Sequence, residues 1–253
     1  MRVLGIDTST NYGSVAIAEK GRLLCELPIP LTESYSKGLL NTIDNILEVS
    51  KISGCDIDGY AISIGPGSFT GLRIGLSTCK GFNLAMERPI IPVETLDAMV
   101  DSISLDFKSA ICNLQSAILW LCPLIDAKRG EVYTSFYRYE GGYIKKVTDD
   151  MVISPENLCK KITEPTFFFG DGVKPYRGII KDRLGELAYF YTGVPKNSIA
   201  ASIALMGIKK IERGDVVDSM TLKPKYIRRS EAEIKWEERQ KSKGGKEYDI
   251  TGV

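Results

Sequence analysis

The chain has 253 residues, 43% of them hydrophobic, with 33 Lys+Arg against 32 Asp+Glu and a net charge of +1. This is a globular composition with room for one large domain or two modest ones, and it sets up no whole-molecule field to steer the chain onto nucleic acid or membrane. There is no histidine, which excludes Ser-His-Asp and Cys-His nucleophile systems and any His-ligated zinc or iron site.

From the start, residues 2–8 (RVLGIDT) read as a short buried strand that runs into a polar loop. Residues 14–19 and 22–29 are two further strands, turned at Lys20-Gly21, so the first three strands form an antiparallel meander. Residues 35–50 switch to helical spacing, with Leu39, Leu40, Ile43, Ile46 and Leu47 on one face. A strand at 59–64 ends at Gly65-Pro66-Gly67, and a helix from Thr70 to Met86 stops at Arg88-Pro89. Residues 90–93 are a fifth strand, a helix starts at Thr95, and 101–116 reads as an irregular linker. The order βββαβαβα predicts a mixed five-stranded sheet with flanking helices.

The second half opens again with strands, at 117–125, 131–139 and 143–147. Ser154 and Pro155 mark a helix start, as N-cap and first helical residue. Residues 166–169 (TFFF) are a buried strand ending in Gly170-Asp171-Gly172. A helix from Ser198 to Arg213 places Ile199, Ile203, Leu205, Met206 and Ile211 toward a core. The predicted division is 1–104 for the first lobe, 105–230 for a smaller second lobe, and 231–253 for a charged, disordered tail. The two halves read as diverged copies of one lobe.

No run of 18 apolar residues occurs, and the apolar start is too short for a signal peptide, so a cytoplasmic location with no membrane contact is expected. The six cysteines form no C-x-x-C pair and read as reduced thiols, most of them buried.

Two motifs carry chemistry. Asp7-Thr8-Ser9-Thr10 places an acid and three hydroxyls in one turn. Such a turn suits nucleotide phosphates, and it equally suits a local turn in which Asp7 caps backbone groups. A phosphate site would need a second loop, and Asp126-Ala127-Lys128-Arg129-Gly130 is bulky where phosphate must approach. The second motif, Gly65-Pro-Gly-Ser-Phe-Thr-Gly-Leu-Arg-Ile-Gly75, lacks the Gly-Lys-Ser/Thr of a P-loop. Gly71, Gly75 and Cys79 recur every four residues and flatten one helix face. Interior glycine costs about 0.5–1 kcal/mol relative to alanine, so a flat face needs a reason. Packing within the chain, close approach of a helix from another chain, and anion binding at the helix start all supply one.

Ile6-Asp7-Thr8-Ser9, Gly65 to Gly75, Ile125-Asp-Ala-Lys-Arg-Gly-Glu-Val-Tyr133 and Pro224-Lys-Tyr-Ile-Arg-Arg229 follow one another in this order, and over about residues 1–235 the chain resembles the bacterial TsaB (YeaZ) family. The resemblance implies an α/β, two-lobed actin-like ATPase (ASKHA; sugar kinase, Hsp70, actin) fold. It also implies a non-catalytic scaffold or dimerisation subunit in the synthesis of tRNA N6-threonylcarbamoyladenosine, t6A. Transfer to adenosine 37 is then the work of a catalytic paralogue, TsaD, which binds metal through a His-x-x-x-His motif. With no histidine, this chain resembles TsaB and not that paralogue, and the glycoprotease (M22) label of the superfamily finds no support.

The expected partners are TsaD, the TsaE ATPase through the TsaB–TsaD pair, a second copy when alone, and tRNA through the complex. The family's docking surface maps onto Ser36, Leu39, Leu40, Ile43, Ile46 and Leu47 of the first helix. On the glycine-rich segment it maps onto Gly67, Ser68, Phe69, Thr70, Gly71, Leu72, Arg73, Gly75, Leu76, Cys79 and Phe82. Asp7, Thr8, Ser9 and Thr10 become a vestigial nucleotide loop; no cofactor or metal is expected, with ATP at the interface or at that loop left open. Where relatives carry a histidine near the first helix, Ser34-Tyr35-Ser36-Lys37 stands here. Two other functions fit the residues. One is an ATP-dependent kinase or ATPase built on Asp7, Thr8 and Thr10. The other is a tRNA-binding accessory protein using the segment Lys223–Lys246, with nine Lys/Arg against four Asp/Glu.

Overall fold

A computed structural model describes residues 1–30, 34–114, 120–140, 142–191, 193 and 195–228, apart from the side chains of 105, 106 and 108–114. The predicted tail, 231–253, lies outside the described residues, as does most of the basic segment.

The meander forms as expected: β1 (Arg2–Asp7), β2 (Ser14–Glu19) and β3 (Arg22–Pro28) pair antiparallel. Helix α1 (Tyr35–Ser50) crosses to β4 (Gly59–Ser63), and α2 (Phe69–Met86) crosses to β5 (Ile90–Val93). Both crossovers give parallel pairs, β1 with β4 and β4 with β5, so the sheet order is β3-β2-β1-β4-β5.

The second half repeats this plan. Strands β6 (Trp120–Pro123), β9 (Tyr137–Glu140) and β10 (Tyr143–Lys146) pair antiparallel, while β12 (Thr166–Phe169) and β13 (Ala188–Phe190) add parallel. The order β10-β9-β6-β12-β13 is the first lobe's order in its own numbering, so the halves are two copies of one topology. A small sheet of β11 (Met151–Ile153), β8 (Val132–Thr134) and β7 (Ile125–Asp126) is added beside it.

Helices α1 and α2 cover one face of the first sheet, where Leu39, Ile43, Ile46 and Leu76 pack on Leu4, Ile6, Val15, Ile17 and Ile62. Helix α6 (Ile199–Glu212) covers the other face. Of the expected core positions Ile203 is fully buried, and Ile199, Leu205, Met206 and Ile211 pack against the same cluster partly buried; the rest of the buried face is Ala200, Ala201, Ser202, Ala204, Gly207 and Ile208. Small residues let α6 lie close: a Cβ on Gly5 would stand 2.7 Å from the Ala204 amide nitrogen.

Four expectations change. Of the stretch 101–116, residues 101–114 are not an irregular linker but the end of α3, which runs Thr95–Leu114 with Leu96, Met99, Val100, Ile103 and Phe107 at helical spacing; residues 115 and 116 lie outside the described residues. The 104/105 division therefore falls inside a helix whose apolar face packs on Leu121, Tyr137 and Phe167 of the second lobe. Assigning everything from 105 to 230 to the second lobe also fails for α6, which completes the first lobe's core. Finally, the strand expected at 131–139 breaks at Ser135, whose hydroxyl donates to the Thr148 carbonyl at 2.6 Å, and β8 and β9 join different sheets.

Helices α4 (Pro155–Cys159) and α5 (Val173–Leu184) flank the second sheet. Ser154 caps α4 as expected, its hydroxyl accepting from the Asn157 amide at 3.3 Å. Of the described cysteines, Cys79, Cys122 and Cys159 are buried thiols, Cys25 is half-buried and Cys55 exposed. No helix among the described residues is long and apolar enough to cross a membrane.

Candidate functional site

The two motifs singled out in the sequence meet each other. Asp7 ends β1 fully buried, and its Oδ1 accepts from the Ser9 amide at 3.0 Å and the Ser9 hydroxyl at 2.6 Å. The Thr10 hydroxyl accepts from the Tyr12 amide at 3.2 Å, and the Tyr35 hydroxyl donates to the Thr10 carbonyl at 3.3 Å. The donors that a phosphate would need are thus largely spent inside the turn, which is the capping alternative. Asp7 Oδ2 and Thr8 Oγ1 are buried without a hydrogen-bond partner. Burial, opposed by the Ser9 hydrogen bonds, pushes the Asp7 carboxyl above its ordinary range.

The glycine face of α2 closes over this turn. The Ser68 amide donates to the Ser9 carbonyl at 2.6 Å. A side chain on Gly67 would overlap the Ser9 carbonyl, one on Gly71 the Thr8 carbonyl, and one on Gly75 the Thr8 hydroxyl. Packing within the chain therefore explains the flat face. The mapped docking surface is corrected accordingly: Gly71, Leu72, Gly75, Leu76 and Cys79 are buried in their own lobe, as are Leu39, Ile43 and Ile46. Leu47, Gly67, Phe69 and Phe82 are half-buried. Ser36, Leu40, Ser68, Thr70 and Arg73 remain exposed.

What is open lies on the opposite side of α2. Thr70, Arg73, Ser77, Gly81 and Leu84 are all exposed and recur at helical spacing; Leu84 is 82% exposed and Gly81 has nothing within 4 Å of where a Cβ would stand. Leu40 of α1 is 47% exposed, and α1 lies beside α2 on the same sheet face. The docking residues carried over from the sequence do not include Gly81 and Leu84, which lie on the side of α2 away from Gly71, Gly75 and Cys79.

Between the lobes is a cleft of about 450 Å³, walled by Ser9, Thr10, Ser68, Lys128, Asp171 and Arg228, among others. Its second loop is closed on itself. Lys128 and Arg129 both adopt positive φ, at 61° and 57°. The Asp126 carboxylate accepts from the Lys128 amide and ammonium, both at 2.8 Å. Partial burial works against ionisation of Asp126, but the Lys128 contacts outweigh it and hold the carboxyl below its usual range. Asp171 accepts from the Asp126 amide at 3.0 Å, and burial raises its pKa, with Asp126 and Asp7 adding repulsion. Among the described residues no group of three His, Cys, Asp or Glu side chains is placed to hold a metal ion.

A protein-family model described as "TsaD: tRNA N6-adenosine threonylcarbamoyltransferase" matches residues 27–236. The tRNA threonylcarbamoyladenosine biosynthesis protein TsaB of Bacillus subtilis is 28% identical over 244 residues, covering 95% of this chain and all of that one. The Escherichia coli TsaB is 35% identical over 165 residues, covering 65% of this chain and 67% of its own length. Among solved structures, YeaZ from Pseudomonas aeruginosa superposes with a TM-score of 0.68 at 23% identity, covering 89% of this chain and 99% of that one.

Proposed function

The chain belongs to the TsaB (YeaZ) family, and we propose that it serves tRNA threonylcarbamoyladenosine biosynthesis as a non-catalytic partner, docking a catalytic TsaD-type paralogue through the exposed faces of α1 and α2. The observation that carries the non-catalytic part is the state of the first loop. The Ser9 amide and hydroxyl and the Tyr12 amide are spent inside the turn, and Gly67, Gly71 and Gly75 hold the start of α2 down on it. The absence of histidine removes the commonest neutral-pH acid–base side chain. The docking part is supported by the α2 stripe, where Gly81 offers bare backbone between Ser77 and Leu84, and an exposed Leu40 stands on the neighbouring helix. Arg73 beside Phe69 gives that surface a cationic and an aromatic group of the kind enriched at interfaces.

On this reading the partner TsaD carries the transfer chemistry, a TsaE-type ATPase and tRNA are reached through the pair, and a second copy uses the same faces when no partner is present. The kinase alternative is disfavoured because Lys128 closes the second loop onto Asp126. The test is reconstitution of threonylcarbamoyl transfer from purified components. Omitting this chain abolishes transfer, while the doubly substituted Asp7→Asn, Asp126→Asn chain supports it at the parent rate. Loss of transfer with the double variant, while it still binds the partner, contradicts the non-catalytic reading.

A further inference from the structure

The fourth motif of the sequence, Pro224 to Arg229, has no role in the docking reading, and its described part, up to Arg228, lies across both lobes. After α6 the chain returns along the first lobe: the Val217 amide donates to the Ile90 carbonyl at 3.0 Å, and Leu222 is buried in the α1–α2 side of the core. The Lys225 amide then donates to the Ile64 carbonyl at 2.7 Å, at the end of β4. The Tyr226 ring stacks on Phe69 at 4.7 Å between centroids, and Arg73 Nε donates to the Tyr226 hydroxyl at 2.9 Å. These contacts all belong to the first lobe.

The side chains on either side of Tyr226 reach the second lobe. Lys225 Nζ lies 2.8 Å from Asp150, whose side chain is fully buried, and 3.0 Å from Glu94 of the first lobe. Lys146 on β10 binds the same two carboxylates from the other side, at 2.7 Å to Asp150 and 2.6 Å to Glu94, and Asp97 at 3.1 Å. Arg228 pairs with Glu131 of the second lobe at 2.6 Å. Three carboxylates therefore share two ammonium groups, and one of those ammoniums is carried by a segment held by hydrogen bonds to the first lobe.

We propose that residues 224–228 are an interlobe staple that fixes the opening of the cleft: without the Lys225 ammonium, Glu94, Asp97 and Asp150 share a single cation and the lobes separate. The Asp150 side chain is fully buried while Lys225, Glu94 and Lys146 are partly exposed, so losing the Lys225 ammonium leaves buried carboxylate charge that is relieved most easily by admitting water between the lobes. Arg228 sets the second wall in the same way, through Glu131 at the end of the Lys128–Gly130 loop.

The test is amide hydrogen exchange on the full chain. Lys225→Met is expected to speed exchange by at least about tenfold in segments 8–12 and 127–131, the two cleft walls, while strands β1, β4 and β12 keep the parent rates. A parallel pair keeps the question open to refutation should that variant not fold. Arg228→Glu and Glu131→Arg each open the 127–131 segment, and the double swap restores it. Unchanged exchange in both walls, a uniform rise across all segments, or a double swap no better than the single variants overturns the staple.

Discussion

The α-carbon of Gly71 rests against the carbonyl oxygen of Thr8, with no room for a Cβ between them. Two motifs separated by more than 60 residues are thus the two sides of one contact, and the glycines of α2 serve the fold of the chain that carries them. The same helix presents a second glycine, Gly81, to open solvent. Inward and outward glycine on one helix make opposite predictions.

Gly71→Ala forces the Thr8 backbone to move and is expected to destabilise by about 1–3 kcal/mol despite alanine's better helix propensity. Gly81→Ala meets nothing and should stabilise by about 0.5–1 kcal/mol. Urea midpoints at constant m-value distinguish the two. Equal effects at both positions would show that the helix is not seated on the Thr8 turn.

The first lobe depends on α6, which is supplied from the far end of the chain. A fragment ending at residue 104 leaves Val3, Ala16, Ala61 and Ile91 without their cover. It is expected to melt without a cooperative transition and to bind a hydrophobic dye. A sharp melt close to that of the whole chain would restore the simple two-lobe division. Gly5→Ala in the whole chain tests the same packing more gently and is expected to cost about 1–3 kcal/mol.

Asp7 gives the chain a pH signature. Its pKa is raised in the fold by burial. A raised acid costs stability where it is ionised, so the cost is present near neutral pH and disappears as pH falls toward the ordinary aspartate value of about 4. Asp7→Asn keeps an acceptor for Ser9 and removes the cost. Its melting temperature should exceed the parent's at pH 7, with the gain shrinking toward pH 4. A constant offset across that range contradicts the burial argument.

Much of the first lobe is legible from its residues, because its signals are local. The Lys20-Gly21 turn, the period of α1 and the Arg88-Pro89 stop each lie within a few residues of the element they bound. The direction of the glycine face is not legible in this way. Helical period shows that Gly71, Gly75 and Cys79 share a side, but the group that fills it, Thr8, is remote in sequence. Helix α3 was hidden for a related reason: Ser102 and Asp101 dilute its apolar pattern, while Ile103 and Phe107 are buried against strands that come later in the chain. In α6, Ala200 and Ala204 carry the close contact with Gly5, and weighting by side-chain size finds Ile203 but passes over these alanines. The break at Ser135 depends on Thr148, thirteen residues away, which no strand propensity records.

The central claim is that the outward stripe of α2 is where a catalytic partner docks. Gly81→Trp places a bulky side chain on that stripe, where its Cβ has no neighbour within 4 Å. Its most direct test is reconstituted threonylcarbamoyl transfer with this variant, measured beside its thermal melt. The account predicts transfer reduced to the level seen when the chain is left out, with a melt that matches the parent. Parent-level transfer by a folded Gly81→Trp chain would contradict it.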